Sequence, residues 1–254
     1  MEKSWSPSTF KNFNTIEHDS CGIVSVMEKA KKPTKKNIDD CIDALVKMNH
    51  RAGFINDEGD GVGIHIDIPK KLWEQKLSAA NADSSLVDRP DFVVGHLFID
   101  KKVDTEAAKE RIRNLVGKHE FNLVIETDQV TNSDALGPLG RKEEPVFFQV
   151  ALLPNFDASK LNLAIYNLML EIEEDTSIHV ASLSNYYSIY KVMGAGDVLP
   201  RYYDDLADPL VASAMTLGHN RYSTNTLSTF FRVQPFSIIG HNGAGKSTLL
   251  KLLA

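Results

Sequence analysis

Alternating apolar and polar positions predict strands at several places along this chain. Every second residue from 62 to 68 is apolar and Pro69 ends the run, a pattern typical of a strand with one buried face. His65 falls on the opposite face, where we expect it to meet solvent. Further strands are predicted at residues 21–27, 92–99, 123–126 and 145–153, and residues 179–183 and 186–192 are predicted to pair as a hairpin around Ser184 and Asn185.

Apolar residues at helical spacing predict helices at residues 37–48, 105–118 and 157–175. In the first of these, one face carries Ile38, Cys41, Ile42, Leu45 and Val46. We expect Cys41 to pack in the core from this position rather than to act in catalysis. The mixture of hairpins and helices predicts an α+β fold in which a sheet is packed with helices.

Composition narrows the class of protein. The chain has 254 residues, of which 43% are hydrophobic and 24% charged, as in an ordinary globular protein of one large or two small domains. A net charge of −6 without a long basic run argues against nucleic acid as the main partner. The basic residues between 29 and 36 are expected to form a solvated loop before the first helix.

Cysteine content and hydropathy indicate a cellular location. Two cysteines suggest a reducing compartment and no disulfide framework. No stretch approaches the ~20 apolar residues that a membrane span requires, and residues 1–20 are too polar for a secretory signal. We therefore expect a cytoplasmic protein without a membrane partner.

Residues 240–247 read Gly-His-Asn-Gly-Ala-Gly-Lys-Ser and fit the phosphate-binding pattern G-x-x-x-x-G-K-S/T. An apolar run precedes them and a helix-like run follows, so residues 242–254 resemble the nucleotide-binding segment of an ABC-type ATPase. The residues that would bind phosphate and Mg²⁺ are Gly240, Gly245, Lys246 and Ser247. The acidic residues that complete an NTPase normally follow such a loop. Few residues follow this one, which leaves it incomplete as an NTPase.

A second set of motifs accounts for almost the whole chain. They read His-Asp-Ser-Cys-Gly-Ile-Val at 18–24, Asn-His-Arg-Ala-Gly at 49–53, Gly-Asp-Gly-Val-Gly-Ile at 59–64, Gly-His-Asn-Arg-Tyr-Ser-Thr-Asn-Thr at 218–226, and Gln-Pro-Phe at 234–236 followed by His-Asn-Gly at 241–243. In this order they resemble the glutaminase (class II glutamine amidotransferase) domain at the N-terminus of glutamate synthase large subunits. After Gly243 the sequence departs from the family, whose acidic residue for the substrate α-amino group lies beyond that point.

The resemblance implies a four-layer αββα N-terminal-nucleophile hydrolase sandwich, here shortened at its C-terminus. It divides the chain into a propeptide or disordered leader at 1–20, a glutaminase domain at 21–243 and an atypical tail at 244–254. It implies no cofactor and no metal. The expected partners are L-glutamine and a synthase domain or subunit that accepts ammonia.

By this resemblance Cys21 is the nucleophile, although taken alone it also fits a buried strand residue. A thiol with a pKa near ~8.5 is mostly protonated at neutral pH. Once the leader is removed, the α-amine of Cys21, with a pKa near ~7.7, could act as its base without help from a histidine. The side-chain amide of Asn242 and the N–H of Gly243 would stabilise the oxyanion, although His-Asn-Gly by itself is a common turn.

The remaining candidate residues bind the substrate. Arg51 and Arg221 would hold the α-carboxylate through paired hydrogen bonds, although either could instead form a structural ion pair. The pocket would be shaped by Ser223, Thr224 and Asn225. Asp60, which lies between glycines, fits a tight turn as well as it fits a substrate contact.

The main hypothesis is therefore a domain that hydrolyses the side-chain amide of glutamine through a cysteine thioester and supplies ammonia to a synthase. Two alternatives are a nucleotide-binding module that uses Gly240 to Ser247, and an inactive interaction domain that keeps the same fold.

Overall fold

The structure is a computed structural model that describes residues 21–128, 131–222 and 228–233. Within these residues the strands are β1 Gly22–Met27, β2 Phe54–Ile55, β3 Glu58–Gly59, β4 Val62–Asp67, β5 Val93–Ile99, β6 Phe121–Asp128, β7 Val146–Pro154, β8 Ile178–Ser184, β9 Tyr187–Val192 and β10 Met215–Asn220. The α-helices are α1 Lys35–Lys47, α2 Lys70–Ala79, α3 Thr105–Lys118, α4 Pro138–Lys142, α5 Leu161–Glu173, α6 Leu199–Tyr202 and α7 Asp204–Ala207. None of these helices has the length and apolar character needed to cross a membrane.

The first sheet is antiparallel and has the strand order β1-β10-β4-β9. One row across it runs from Gly22 to Asn220, then to Val62 and to Val192. Because neighbouring strands are antiparallel, this row gathers the starts of β1 and β4 and the ends of β10 and β9. Residues Cys21, Arg221 and Gly61 therefore lie at the same end of the sheet.

Helix α1 packs on β1 and β10. Thr34 caps its N-terminus by accepting a hydrogen bond from the N–H of Asn37, and Ile38, Cys41 and Leu45 are fully buried. The predicted helix and the core position of Cys41 are confirmed. Val46, also on the predicted apolar face, lies at the border of the buried surface and is 36% exposed.

The second sheet is also antiparallel, with the strand order β6-β7-β5-β8. Helix α3 packs on β6 and α5 packs on β8. Their apolar faces form one core with strand residues that include Leu97, Phe148 and Leu152. The strands predicted at 92–99, 123–126 and 145–153 and the helix at 105–118 are confirmed, and α5 forms most of the helix predicted at 157–175. The combination of helices and antiparallel sheets confirms the α+β class.

A buried polar network joins the two sheets. The amide of Gln149 donates to Nε2 of His96 at 3.0 Å and to Asp205 at 3.0 Å, and its oxygen accepts from Lys76 at 2.6 Å. The hydroxyl of Tyr190 also donates to Asp205, at 2.8 Å. Burial lowers the pKa of His96 to about 4, so this histidine is neutral inside the network.

Two predictions about local strand geometry are wrong. The strands predicted as a hairpin around Ser184 and Asn185 belong to different sheets, since β8 pairs with β5 and β9 pairs with β4. The polypeptide crosses between the sheets at this turn. His65 is not on a solvated surface: it is partly buried, its ring stacks on Tyr187 at 4.3 Å, and burial lowers its pKa.

Candidate functional site

Cys21 lies directly before β1 and is exposed. Its Sγ accepts a hydrogen bond from the backbone N–H of Tyr222 at 3.4 Å. A hydrogen bond with the side chain of His219 lowers the pKa of the Cys21 thiol, and this effect together with the Tyr222 amide outweighs the opposing effect of burial. A lowered pKa increases the thiolate fraction at neutral pH, as a nucleophile requires.

His219 is a candidate functional residue that the sequence did not reveal, since the motifs assign it no role of its own. It lies on β10 opposite Ile23 and is only 5% exposed. This register brings its side chain to the thiol at the end of the neighbouring strand. The signal that could have revealed it is the pairing of β1 with β10, which the order of residues alone does not specify.

Arg51 lies against Gly22, the residue that follows Cys21. It ends the short 3-10 helix Asn49–Arg51 and is exposed, and its Cβ lies 3.3 Å from the position that a Cβ on Gly22 would occupy. Its placement depends on the C-terminus of α1. There the side-chain amide of Asn220 donates to the carbonyls of Leu45 at 2.8 Å and Met48 at 3.3 Å, and the N–H of Arg51 donates to the same Met48 carbonyl.

Arg221 joins three segments around the same end of the sheet. Its N–H donates to the carbonyl of Gly61 at 2.8 Å, and its own carbonyl accepts from the N–H of Gly53 at 3.0 Å. Its guanidinium donates to the hydroxyl of Ser228 at 3.0 Å, and that hydroxyl donates to the carbonyl of Asp60. The structure therefore brings Arg221 to the same end of the sheet as Cys21, where it also holds the backbone.

The turn around Asp60 is packed inside the protein. Gly61 has a φ of +144°, which disfavours any residue with a side chain, and a Cβ there would lie 2.4 Å from Val233. A Cβ on Gly59 would lie 2.6 Å from the backbone of Gly194. Asp60 itself is 2% exposed. The glycines are thus explained by close packing of the turn.

Several predicted site residues lie outside the described residues. They are the oxyanion candidates Asn242 and Gly243, the pocket residues Ser223, Thr224 and Asn225, and the phosphate-loop residues Gly240, Gly245, Lys246 and Ser247. The described residue nearest to the oxyanion candidates in sequence is Val233, which contacts Gly61. In the described part of the chain, no group of three or more His, Cys, Asp or Glu side chains is arranged to hold a metal ion.

Comparison with known proteins gives one family. The sequence model of the family described as "Glutamine amidotransferases class-II" matches residues 21–249. Similar proteins include "Glutamate synthase [NADH]" of Saccharomyces cerevisiae, 29% identical over 89% of this chain and 11% of the relative. "Ferredoxin-dependent glutamate synthase 2" of Synechocystis sp. is 29% identical over 89% of this chain and 15% of the relative. "Glutamate synthase [NADPH] large chain" of Bacillus subtilis is 29% identical over 90% of this chain and 16% of the relative. The chain thus spans less than a fifth of the length of these relatives.

Proposed function

The chain belongs to the class II glutamine amidotransferases, and on this premise we propose that it hydrolyses the side-chain amide of glutamine with Cys21 as the nucleophile. The observation that carries the proposal is the exposed thiol of Cys21, whose pKa is lowered by His219, at the residue where the family match begins. The relatives are named glutamate synthases. We accordingly propose a synthase domain or subunit as the acceptor of the ammonia.

The chemistry follows from a thiolate and an amide. The Cys21 thiolate attacks the amide carbon of the glutamine side chain, and the carbonyl electron pair moves onto oxygen. When the tetrahedral intermediate collapses, the C–N bond breaks, a proton passes to nitrogen and ammonia leaves a γ-glutamyl thioester. Water then attacks the thioester carbon, and the C–S bond breaks to give glutamate and the free thiol.

Two groups support the nucleophile in this proposal. Removal of residues 1–20 would give Cys21 an α-amine that can take the thiol proton and return it to the leaving nitrogen. His219 stabilises the thiolate through its hydrogen bond with the thiol. The amine therefore moves the proton, while the histidine keeps the sulfur ionised.

Substrate binding is assigned by position. Arg51, next to Gly22, is placed to bind the α-carboxylate of glutamine. Arg221 lies at the same end of the sheet and would share that task while it holds Ser228. We keep Asn242 and Gly243 as the oxyanion donors and Ser223, Thr224 and Asn225 as pocket residues, on the strength of the motifs that contain them.

The finer description of the fold is part of the proposal. Helix α1 on the first sheet and helices α3 and α5 on the second support the four-layer αββα arrangement. We propose residues 21–243 as the glutaminase domain, with 1–20 as its leader and 244–254 as a tail. The cytoplasmic location remains a prediction.

Neither alternative function is favoured. The family match continues to residue 249 and so includes the whole of the loop, residues 240–247, that fits the phosphate-binding pattern. A thiol that is exposed and has a lowered pKa also fits an active enzyme better than an inactive relative. We therefore propose no second function.

A diazoketone analogue of glutamine tests the proposed nucleophile. We expect it to add one label to the purified protein, at Cys21, as located by peptide mass spectrometry. Cys41 is the internal control, because it is buried and burial raises the pKa of its thiol to about 12. Intact mass shows whether residues 1–20 have been removed. Labelling of Cys41 alone, or of neither cysteine, would exclude Cys21 as the nucleophile.

A further inference from the structure

Glu173, His179 and Lys191 form a cluster of hydrogen-bonded side chains that the proposed reaction does not use. Glu173, the last residue of α5, lies 2.7 Å from Nδ1 of His179 on β8. Nε2 of the same ring lies 2.6 Å from Nζ of Lys191 on β9. The cluster therefore connects the second sheet, one of its helices and the edge strand of the first sheet.

Lys191 is buried more completely than a lysine usually is. It is 3% exposed, and its Nζ lies 5.5 Å from the centre of the Phe98 ring. Burial lowers the pKa of Lys191 to about 7, although the negative charge of Glu173 acts to raise it. A buried ammonium group lowers the stability of the fold relative to an apolar side chain of the same size. Stability alone thus gives no reason for a lysine here.

The lysine and the histidine both hold Phe231. Nζ of Lys191 donates to the carbonyl of Phe231 at 3.1 Å, and the Phe231 ring stacks on the His179 ring with centres 5.5 Å apart and planes at 29°. Phe231 belongs to the described segment 228–233, whose last residue is Val233. The cluster therefore contacts this segment through both its backbone and its side chain.

Both ends of the same segment contact the nucleophile's end of the first sheet. At its start, the hydroxyl of Ser228 is bonded to Arg221 and to the carbonyl of Asp60. At its end, Val233 packs on Gly61. The cluster supplies a third contact at Phe231, in the middle of the segment. Together the three contacts fix the position of residues 228–233.

The register of the first sheet places Lys191 in the same row as His219. Lys191 pairs with Gly63, and Gly63 pairs with His219. Residues directly opposite each other in antiparallel strands share a face of the sheet. Lys191, which holds the segment, and His219, which bonds to Cys21, therefore lie on the same face. Gly63, between them, has no side chain.

We infer that Glu173, His179 and Lys191 are positioning residues for glutamine hydrolysis, which hold residues 228–233 against Arg221 and Gly61 at the same end of the first sheet as Cys21. The effect on catalysis rests on the proposed function. The anchoring of residues 228–233 does not depend on the proposed function.

Protonation of the cluster gives the anchor a pH dependence. The groups whose charges act on one another here are Glu173, His179 and Lys191. Burial lowers the pKa of His179, so its Nε2 accepts from the lysine while its Nδ1–H donates to Glu173. As the pH rises through about 7, Lys191 loses its proton and its bonds to His179 and Phe231 weaken.

The test compares Lys191→Met with Lys109→Met in the full chain. Lys109 is a matched control because it is also buried and lies over a phenyl ring, that of Phe148 at 5.4 Å, but it pairs with Glu106 and Asp128. Three quantities are measured: urea unfolding, hydrogen exchange of the amides of Arg232 and Val233, which both donate to the carbonyl of Thr229, and kcat and KM for glutamine.

We expect Lys191→Met to be at least as stable as the wild type, to exchange the Arg232 and Val233 amides faster, and to lose roughly tenfold or more in kcat. The kcat ratio of wild type to variant should be largest at pH 6 and should fall as the pH rises through about 7. Lys109→Met should lose stability and keep the wild-type exchange and kcat. Should Lys191→Met fail to fold, His179→Gln, which removes the stacked ring, is expected to give the same exchange and kcat changes.

Unchanged exchange at Arg232 and Val233 together with an unchanged kcat per folded molecule would overturn the inference. The amide exchange decides the anchoring role even if the wild type releases no glutamate. In that case the proposed function fails, and faster exchange in Lys191→Met still supports the anchor. The two failures are therefore distinguishable.

Discussion

At the scale of single residues, the two cysteines occupy opposite environments. Cys21 is exposed and its thiol has a lowered pKa, whereas Cys41 is buried and burial raises its pKa to about 12. The thiolate is the reactive form. The structure therefore favours the thiolate at Cys21 and the thiol at Cys41, without reference to either residue's position in a motif.

The hydrogen bond between His219 and the Cys21 thiol can be tested through reactivity. Replacing His219→Leu removes the largest influence that lowers the pKa of Cys21. We expect the midpoint of the pH profile for iodoacetamide labelling of Cys21 to move upward and labelling at neutral pH to slow. His219→Gln, which can still form a hydrogen bond with the sulfur, should show a smaller shift. Identical midpoints for wild type and His219→Leu would mean that the histidine does not tune the thiol.

Sequence motifs predicted some residues of the candidate site, whereas the role of His219 became apparent only from the register of β1 with β10. Cys21 and Arg51 were predicted from motifs, and the structure places Arg51 against Gly22, the residue that follows Cys21. The contact of His219 with Cys21 depends on which strands pair and in what register, and a motif does not contain that information.

At the scale of elements, α1 approaches β10 through a glycine. A Cβ on Gly218 would lie 2.7 Å from Sγ of Cys41 and 2.8 Å from Cδ1 of Leu45. Because both atoms belong to α1, the distance between helix and strand depends on this position. The same strand carries His219 and Asn220, so its packing also sets the geometry of the site.

Replacing Gly218→Ala should push α1 away from the sheet. We expect a loss of roughly 1–3 kcal/mol in the free energy of unfolding, since an extra methyl group in a packed core strains its neighbours. The control is Gly117→Ala in α3, where a Cβ would meet nothing within 4 Å. That change should be neutral or stabilising by up to ~1 kcal/mol. Urea unfolding of both variants measures the difference, and equal effects would mean that the close approach is not a constraint.

The sequence predicted elements better than it predicted their partners. The bounds predicted for α3 agree with the structure because its apolar residues keep a helical period over its length. The hairpin at Ser184 was wrong because two adjacent apolar runs fit paired strands and strands of two different sheets equally well. Only long-range pairing, of β8 with β5 and β9 with β4, decides between these arrangements.

At the scale of the whole molecule, the polar network between the sheets makes stability depend on pH. His96 has a pKa of about 4 when folded and an ordinary value of 6.5 when exposed. Between these pH values the unfolded chain binds more protons than the folded one, so stability falls as the pH falls.

The predicted contribution of His96 is measurable by urea unfolding at pH 6.5 and pH 4. For the wild type, we expect this residue to account for a loss of about 3 kcal/mol over that interval. His96→Gln has no ionisable group there and should show a shallower dependence on pH by about that amount. Parallel pH dependences for the two proteins would show that His96 binds its proton as easily in the folded state as in the unfolded chain.

The fold class followed from the sequence, but the connection between sheets did not. Alternating and helical patterns were enough to predict helices with antiparallel strands. The network of Gln149, His96 and Asp205 joins residues that are distant in the chain, and no local pattern marks a polar residue as buried. Such contacts become visible only in the folded protein.

The central claim is that the sulfur of Cys21 breaks the amide bond of glutamine. The most direct measurement is the rate of glutamate release from glutamine by the wild type, Cys21→Ala and Cys41→Ala, each normalised to folded protein. We expect Cys21→Ala to release no glutamate above background, and Cys41→Ala to keep the wild-type rate because the Cys41 sulfur is buried between α1 and β10. Glutamate release by Cys21→Ala at the wild-type rate would contradict the account.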